Sequence, residues 1–377
     1  MNALALPSLR QGGAGFYTAT LIDGLSRAAG IDATAVVSAE LGEELDELAP
    51  QAVRAVARAR RRPAWRKPAN YLLAARRPQR LDLGYEQRPL QADLVHWPIS
   101  FAHAPPAPRG ARTVLTVLDM QHELFPEFFS PADRALRRLR WRPSARDVDH
   151  VIAISDFTAR MVIERYGIPA RRVTAIPLCI RTTLATDPPV EPLPREPVDE
   201  PWFLYPASPL PAKNHARLLS ALALHRSRGS RARLVLTGPR LHDWSAVQRD
   251  IAERGLGAAV ACLGYVCEAD LRGLYARSTG LVFPSLFEGF GLPVLEAMAT
   301  GCPVAASSAG SLPEVVGDAG RAFCPTDVEA IADAMAWLES LGGAGRDRVT
   351  ALGRAQAARF SSERMVRATV DVYRQLA

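Results

Sequence analysis

Short runs of aliphatic and β-branched residues recur along the chain, and between them apolar positions return every three to four residues. ATAVV (33–37), ADLVHW (92–97), RTVLTVLD (112–119), HVIAIS (150–155) and RVTAIP (172–177) are the runs of the first half. They are apolar throughout rather than alternating, the pattern of parallel strands covered on both faces by helices. FYTATLIDGLSRAAG (16–30) and DFTARMVIERYG (156–167) fit such helices. The second has Ser155 or Asp156 to cap its start and Gly167, followed by Ile168-Pro169, to stop it. The pattern lapses over RTTLATDPPVEPLPREPVDEP (181–201), rich in proline and acid, which reads as a linker. It restarts with PWFLYPAS (201–208), ARLVLTG (232–238), AVACLGY (259–265), TGLVFPS (279–285) and CPVAASS (302–308). The last stretch, SSERMVRATVDVYRQLA (361–377), is helical and is expected to pack back on the first domain.

This alternation predicts an α/β protein of two doubly wound, Rossmann-like domains, 1–180 and 202–360, with a cleft between them and ligands beyond the carboxyl ends of the strands. The opening strand, NALAL, has only five residues and no lead-in. Either the sheet begins with a short strand or the natural chain starts a few residues earlier.

Composition narrows the class. With 48% hydrophobic and 23% charged residues, the chain has the balance of a folded soluble protein, and no apolar run reaches the roughly 20 residues of a membrane span. The start, MNALALPSLRQGG, lacks the basic head and apolar core of a secretory leader. Five cysteines (Cys179, Cys262, Cys267, Cys302, Cys324) form neither a disulfide framework nor a zinc spacing. The expected compartment is the cytoplasm.

The net charge of +7 rests almost wholly on arginine, since only Lys67 and Lys213 are lysines. That rarity singles out Lys213, because an ammonium and a guanidinium are not interchangeable. Two stretches concentrate the excess, RAVARARRRPAWRKPANYLLAARRPQR (54–80) and DRALRRLRWRPSAR (133–146). Two readings stay open for them: a solvated helical face, or attraction to phospholipid headgroups or a diphosphate-linked acceptor at the inner face of the membrane. Nucleic acid is not expected, since no zinc-finger spacing, helix-turn-helix pattern or run of stacking aromatics is present.

The most informative stretch is PSLFEGFGLPVLEAMATGCPVAASSAGSLPEV (284–315). A strand ends, a loop carries Glu288-Gly289-Phe290-Gly291, and Leu292-Pro293 opens a helix that Gly301 stops. The amides of Gly289 to Leu292 at a helix mouth suit a diphosphate. Glu288 and Glu296, on either side, cannot bind phosphate but can accept hydrogen bonds from sugar hydroxyls. A diphosphate flanked by two polyols is a nucleotide-sugar. Taken as an isolated pair, Glu288 is equally readable as a loop carboxylate and Glu296 as a residue favouring the helix dipole.

The pair is not isolated. E-G-F-G-L-P-V-L-E (288–296) resembles the E-x7-E motif of the retaining GT-B glycosyltransferases of the family 4 type. GCPVAASSAGSLPEVVGDAG (301–320), VIAISDFTARMVIERYGIP (151–169), the glycine-rich start, the lysine motif and the C-terminal helix resemble that family as well. The resemblance implies a GT-B fold, a donor-binding second domain and an acceptor-side first domain. It implies that Glu296 holds the nucleotide ribose and Glu288 the donor sugar, while Gly289, Phe290, Gly291 and Leu292 approach sugar and diphosphate. It implies that Lys213, in SPLPAKNH, neutralises the diphosphate. The arginine that often precedes this lysine is absent, so Lys213 carries more of the charge, or Arg240 or another residue substitutes.

In the first domain the resemblance places a glycine loop, Gln11 to Phe16, opposite the donor phosphates, with Gly13 and Gly15 avoiding a Cβ clash. The loop does not meet G-x-G-x-x-G, which argues against a dinucleotide enzyme. Relatives often have His-Asp at the end of the strand over 112–119, whereas this chain has Leu118-Asp119 with His122 three residues on. The role beside donor or acceptor passes to His122 or Asp119, with His96 and His103 as further candidates. The expectation is therefore a metal-independent, cofactor-free hexosyltransferase of the mannosyl or rhamnosyl type. It would move a hexose from GDP-mannose, or next a UDP-sugar, to a glycan or polyprenyl-diphosphate-linked acceptor in surface polysaccharide assembly. Alternatives are a catalytically silent GT-B partner of another transferase, or a nucleotide-sugar epimerase. A phosphorylase would need a pyridoxal-phosphate lysine, and the second domain has no lysine to spare.

Overall fold

The computed structural model describes residues 1–10, 12–59, 85–86, 91–103, 106–180, 200–238 and 243–377. They divide into two compact units, Met1–Cys179 with Ser361–Ala377, and Ile180–Phe360. Most of the 54–80 stretch, nearly all of the 181–201 linker, Gln11 and Arg240 lie outside the described residues.

In the first unit, α1 (Gly12–Ser26) precedes β1 (Thr34–Ser38), α2 (Ala39–Leu48), β2 (Val53–Ala59) and the two-residue β3 (Tyr85–Glu86). β4 (Leu94–Trp97), β5 (Arg112–Val117), β6 (His150–Ala153) and β7 (Val173–Ala175) form a parallel sheet in chain order. β1 and β2 pair in parallel and β3 runs antiparallel on β2. Met1–Ala3 lies between the two sheets: the Asn2 amide donates to His96 O (2.8 Å) and the Ala3 amide to Val36 O (2.9 Å). The short helix α3 (Gln121–Leu124) follows β5, and α4 (Pro131–Asp147) and α5 (Asp156–Tyr166) flank β6. Ser155 caps α5, its hydroxyl accepting from the Thr158 amide, and Gly167 ends it at φ 68°. Trp97, Leu115, Val117, Val151, Val162 and Tyr166 pack into one core cluster of this unit, and Leu9, Ile22, Val37, Leu41 and Leu45 into another.

Two expectations change here. Residues 53–59 are a strand, not part of a helical face: pairing with β1 supplies the backbone hydrogen bonds, and Arg54 reaches Gly42 O and Asp46 from it. Of the loop expected over Gln11 to Phe16, the described part opens α1: Gly12 enters it at φ 70°, and Gly13 and Gly15 are already helical. Gly15 is needed there for close packing: a Cβ would lie 2.5 Å from Ser8 O.

In the second unit β8 (Trp202–Pro206), α6 (His215–Ser227), β9 (Arg233–Thr237), α7 (Ser245–Glu253), β10 (Val260–Gly264) and α8 (Glu268–Arg277) build one half. β11 (Gly280–Phe283), α9 (Leu292–Thr300), β12 (Val304–Ser307), α10 (Leu312–Val316), β13 (Arg321–Phe323), α11 (Val328–Ser340) and α12 (Gly343–Ala357) build the other. All six strands are parallel, in the order β10-β9-β8-β11-β12-β13. The order reverses between β8 and β11, and the crevice beyond the carboxyl ends of those two strands is where such sheets bind ligands.

The last helix, α13 (Ser362–Leu376), belongs to the first unit and packs on α1. A buried polar chain anchors it. The Tyr373 hydroxyl meets His96 Nδ1 at 2.6 Å, His96 Nε2 meets Thr116 Oγ1 at 2.7 Å, and Thr116 Oγ1 meets the Tyr17 hydroxyl at 2.8 Å.

Candidate active site

β8 and β11 are neighbours, so the loops that leave them, 207–214 and 284–291, start side by side. Hydrogen bonds then hold the two loops together. The Leu286 amide donates to Ala212 O at 2.7 Å. Asn214 Nδ2 donates to Pro284 O (2.9 Å) and to Pro325 O (2.7 Å), tying a third loop in. Asn214 does this from a left-handed backbone (φ 61°), the sole non-glycine residue with positive φ among the described residues. Asparagine tolerates that conformation better than other side chains with a Cβ. The Tyr205 hydroxyl, from the buried end of β8, donates to Lys213 O and fixes the backbone that carries the lysine.

On this frame Lys213 Nζ donates to Glu288 Oε1 at 2.6 Å. The two side chains are 22% and 12% exposed, so the pair is partly withdrawn from water yet reachable. Glu288 is pinned from behind. Ser311 Oγ donates to Glu288 O (3.0 Å) and lies 2.7 Å from Phe290 O. Gly310, at φ 65°, lets its chain approach so closely that a Cβ would sit 2.7 Å from Glu288 O. Gly291, at φ 111°, turns the chain into α9, and a Cβ there would meet Leu312 at 2.6 Å. Both glycines are required twice over, by backbone conformation and by space.

Glu296 lies more than one turn into α9 and is buried, 4% exposed. The hydroxyl of Tyr275, itself fully buried on α8, donates to Glu296 Oε2 at 3.1 Å. The groups behind the ion pair are neutral. Burial, and then the Lys213 ammonium, push the His215 imidazole down to about 4. Burial raises the Tyr205 phenol well above its ordinary value, and the Glu288 carboxylate adds to that. His215 packs on Tyr205 and edge-on to Trp244, and its Nε2 has no hydrogen-bond partner. Among the described residues no group of three or more His, Cys, Asp or Glu side chains could hold a metal ion. Among the described residues the arrangement offers a cation from one half of the doubly wound sheet, and two carboxylates of different depth and a helix mouth from the other.

Residues 11–184 match the family model described as Glycosyltransferase Family 4, and residues 200–340 the one described as Glycosyl transferases group 1. The chain is 35% identical to the O-antigen chain mannosyltransferase B of Escherichia coli over 279 residues, 71% of each chain. It is a family 4 glycosyltransferase. The MMP alpha-(1->4)-mannosyltransferase of Mycolicibacterium hassiacum is a further relative, 30% identical over 61% of this chain and 54% of its own. Solved structures confirm that the fold is that of the GT-B glycosyltransferases. Anabaena HepE in complex with UDP and glucose matches with a TM-score of 0.68 at 18% identity, covering 100% of both chains. A Rickettsia africae glycosyltransferase matches with a TM-score of 0.67 at 18% identity, covering 100% of this chain and 97% of its own.

The structure brings Lys213, Glu288, Gly289, Phe290, Gly291, Leu292 and Glu296 of this glycosyltransferase onto one end of one sheet. The other candidates belong to the first unit. Gly13 and Gly15 lie in the opening turns of α1. Asp119 Oδ1 accepts from the Gln121 amide at 3.1 Å, shaping the turn into α3. His122 is buried, with Nε2 3.2 Å from the Tyr166 hydroxyl and its ring edge-on to Trp141. Burial, then Arg137 and Arg138, push it down to about 4. His96 is buried in the polar chain described above, and His103 is buried beside Phe101. Asn214, Tyr205, Tyr275 and Ser311 carry the geometry of the site, and the sequence reading singled out none of them. Asn214 had a signal, an asparagine between the rare lysine and a helix. The others had none, because a buried tyrosine or serine does not show in the sequence which group it will meet.

Proposed function

We propose that the enzyme moves a hexose, with retention of anomeric configuration, from a nucleotide-sugar to a glycan or polyprenyl-diphosphate-linked acceptor in surface polysaccharide assembly. GDP-mannose is the favoured donor and a UDP-sugar the next. The Lys213–Glu288 pair beside Glu296, at the reversal of strand order in the second unit, carries this reading. The mannosyltransferase relatives support mannose and an O-antigen-like product. The solved HepE complex with UDP and glucose keeps a UDP-sugar second.

In this reading Glu296, held by Tyr275, takes the ribose hydroxyls and Glu288 takes those of the sugar. Lys213 and the amides around Phe290, Gly291 and Leu292 stabilise the charge that grows on the leaving diphosphate, so no metal is needed. The acceptor attacks from the face the diphosphate leaves, and a phosphate oxygen takes its proton. Gly13 and Gly15 face the donor phosphates from the first domain, and Asp119 or His122 stands beside the donor sugar or the acceptor. The acceptor is met at the inner face of an anionic membrane through α4, where Arg138, Arg142 and Arg146 are exposed at four-residue spacing beside the exposed Leu139. No helix of the described residues is long and apolar enough to cross that membrane.

The test is a thermal-shift panel of GDP, UDP, ADP and dTDP with their common sugars, run with EDTA and with a Glu296→Ala variant. A ligand at 100 times its dissociation constant stabilises by about 2.7 kcal/mol. The expected outcome is stabilisation by GDP-mannose, insensitive to EDTA and lost in the variant, with an α-linked product by proton NMR. Stabilisation by a UDP-sugar instead moves the donor assignment. Binding without turnover, with any acceptor, favours the silent partner. Sedimentation with anionic vesicles in low salt should weaken when Arg138, Arg142 and Arg146 become Glu, and unchanged sedimentation removes the membrane contact.

A further inference from the structure

The site is not an open anion trap. Its ammonium is already neutralised, with Lys213 Nζ 2.6 Å from Glu288 Oε1. The two backbones cannot drift apart to loosen the pair. Leu286 N–Ala212 O and Asn214 Nδ2–Pro284 O join the loops, Tyr205 holds Lys213 O, and Ser311 holds Glu288 O. A diphosphate that takes Lys213 therefore competes with Glu288 for the ammonium.

We propose that the Lys213–Glu288 pair is an exchange clamp that favours the nucleotide-sugar over the nucleoside diphosphate left after transfer. This rests on the reading in which Lys213 meets the diphosphate and Glu288 the sugar. When the intact donor binds, both partners are replaced: phosphate oxygens take the ammonium, and sugar hydroxyls donate to the carboxylate. When the diphosphate binds alone, Lys213 gains a partner and Glu288 loses one. A carboxylate 12% exposed is then left unpaired beside a group of its own sign, which is unfavourable on both counts. After the sugar has gone to the acceptor, Glu288 has nothing to hold but Lys213. Its return to the lysine weakens the grip on the product. Glu288 thus acts on product release through Lys213, in addition to any contact with the sugar.

A Glu288 that binds sugar without exchanging Lys213 would let free sugar leave nucleoside diphosphate affinity untouched. A clamp makes the opposite prediction. By calorimetry with GDP and UDP, Glu288→Gln should bind the nucleoside diphosphate about tenfold more tightly than wild type, while its affinity for the nucleotide-sugar stays level or falls. In turnover, the same variant should show stronger product inhibition. Unfolding midpoints of both proteins exclude a folding defect. The wild type alone carries a second test. Free mannose or glucose at high concentration should tighten nucleoside diphosphate binding, since sugar hydroxyls that occupy Glu288 release Lys213, and the coupling is reciprocal. Unchanged or weaker diphosphate binding in Glu288→Gln, or no effect of free sugar on wild type, overturns the clamp and leaves the transferase reading standing. A wild type that binds none of these nucleotides overturns both.

Discussion

Each unit holds a hydrogen bond of 2.6 Å between ionisable side chains. In the second unit Lys213 Nζ donates to Glu288 Oε1, and in the first His96 Nδ1 meets the Tyr373 hydroxyl. The lengths are equal and the physics is opposite. His96 is 1% exposed, both its ring nitrogens are used by neutral hydroxyls, and burial, then the terminal ammonium, push it down to about 3. Nothing there is left for a ligand, so the network serves the fold. The Lys213–Glu288 pair keeps two full charges at partial exposure on loops held rigid by other residues. Neutral polar groups sealed from water stabilise, whereas opposite charges held within reach of solvent are ready to change partners.

Breaking each network should separate these roles. Lys213→Ala should lower kcat/KM for the donor by about a thousandfold, the scale of one missing transition-state donor, while the unfolding midpoint barely moves. Equal loss of stability and activity would make the lysine structural. Acid should act through the sealed network next. Between pH 6.5 and 4 the unfolded chain protonates His96 while the native chain does not, so stability falls with pH, by about 3 kcal/mol at pH 4 from this group. Denaturant midpoints should fall less steeply across that range in His96→Gln, the slope that remains coming from His122 and His215, which burial also pushes down to about 4. Tyr373→Phe leaves His96 Nδ1 without its hydroxyl and should cost about 2 kcal/mol of stability, with KM for the donor unchanged. A raised donor KM would tie the two networks together. Tyr275→Phe should give the smallest effect. Glu296 stays in place with one hydrogen bond fewer, so donor KM should rise less than tenfold, and kcat should hold.

The sequence carried the frame of both networks unevenly. Buried parallel strands announce themselves as apolar runs, which is why all five runs of the second half contain a strand of its sheet. β2 did not, because Arg54 and Arg58 interrupt it and its hydrogen bonds come from β1 rather than from any local signal. The glycines at 12, 13 and 15 resembled a phosphate loop, and the reason for Gly15 lies in the backbone of Ser8, invisible without coordinates. Lys213 and the two glutamates were singled out by rarity, spacing and the family resemblance together. The groups that position them were not: Asn214 reaches partners 70 and 111 residues away, and Tyr275 reaches Glu296 from 21. His122 was readable as a conspicuous histidine, but its neighbours Tyr166 and Trp141 come from two other helices.

The placement of α13 has a consequence for how the chain is made. The second unit is a continuous segment, while the first is closed by residues that follow it. On a ribosome, which delivers a chain from its N-terminus, 180–360 can complete its sheet while His96 still waits for Tyr373. Domains usually fold in the order of synthesis, and here the order of completion is reversed. A truncation that removes the last helix should therefore yield a folded second unit attached to an open, protease-sensitive first unit.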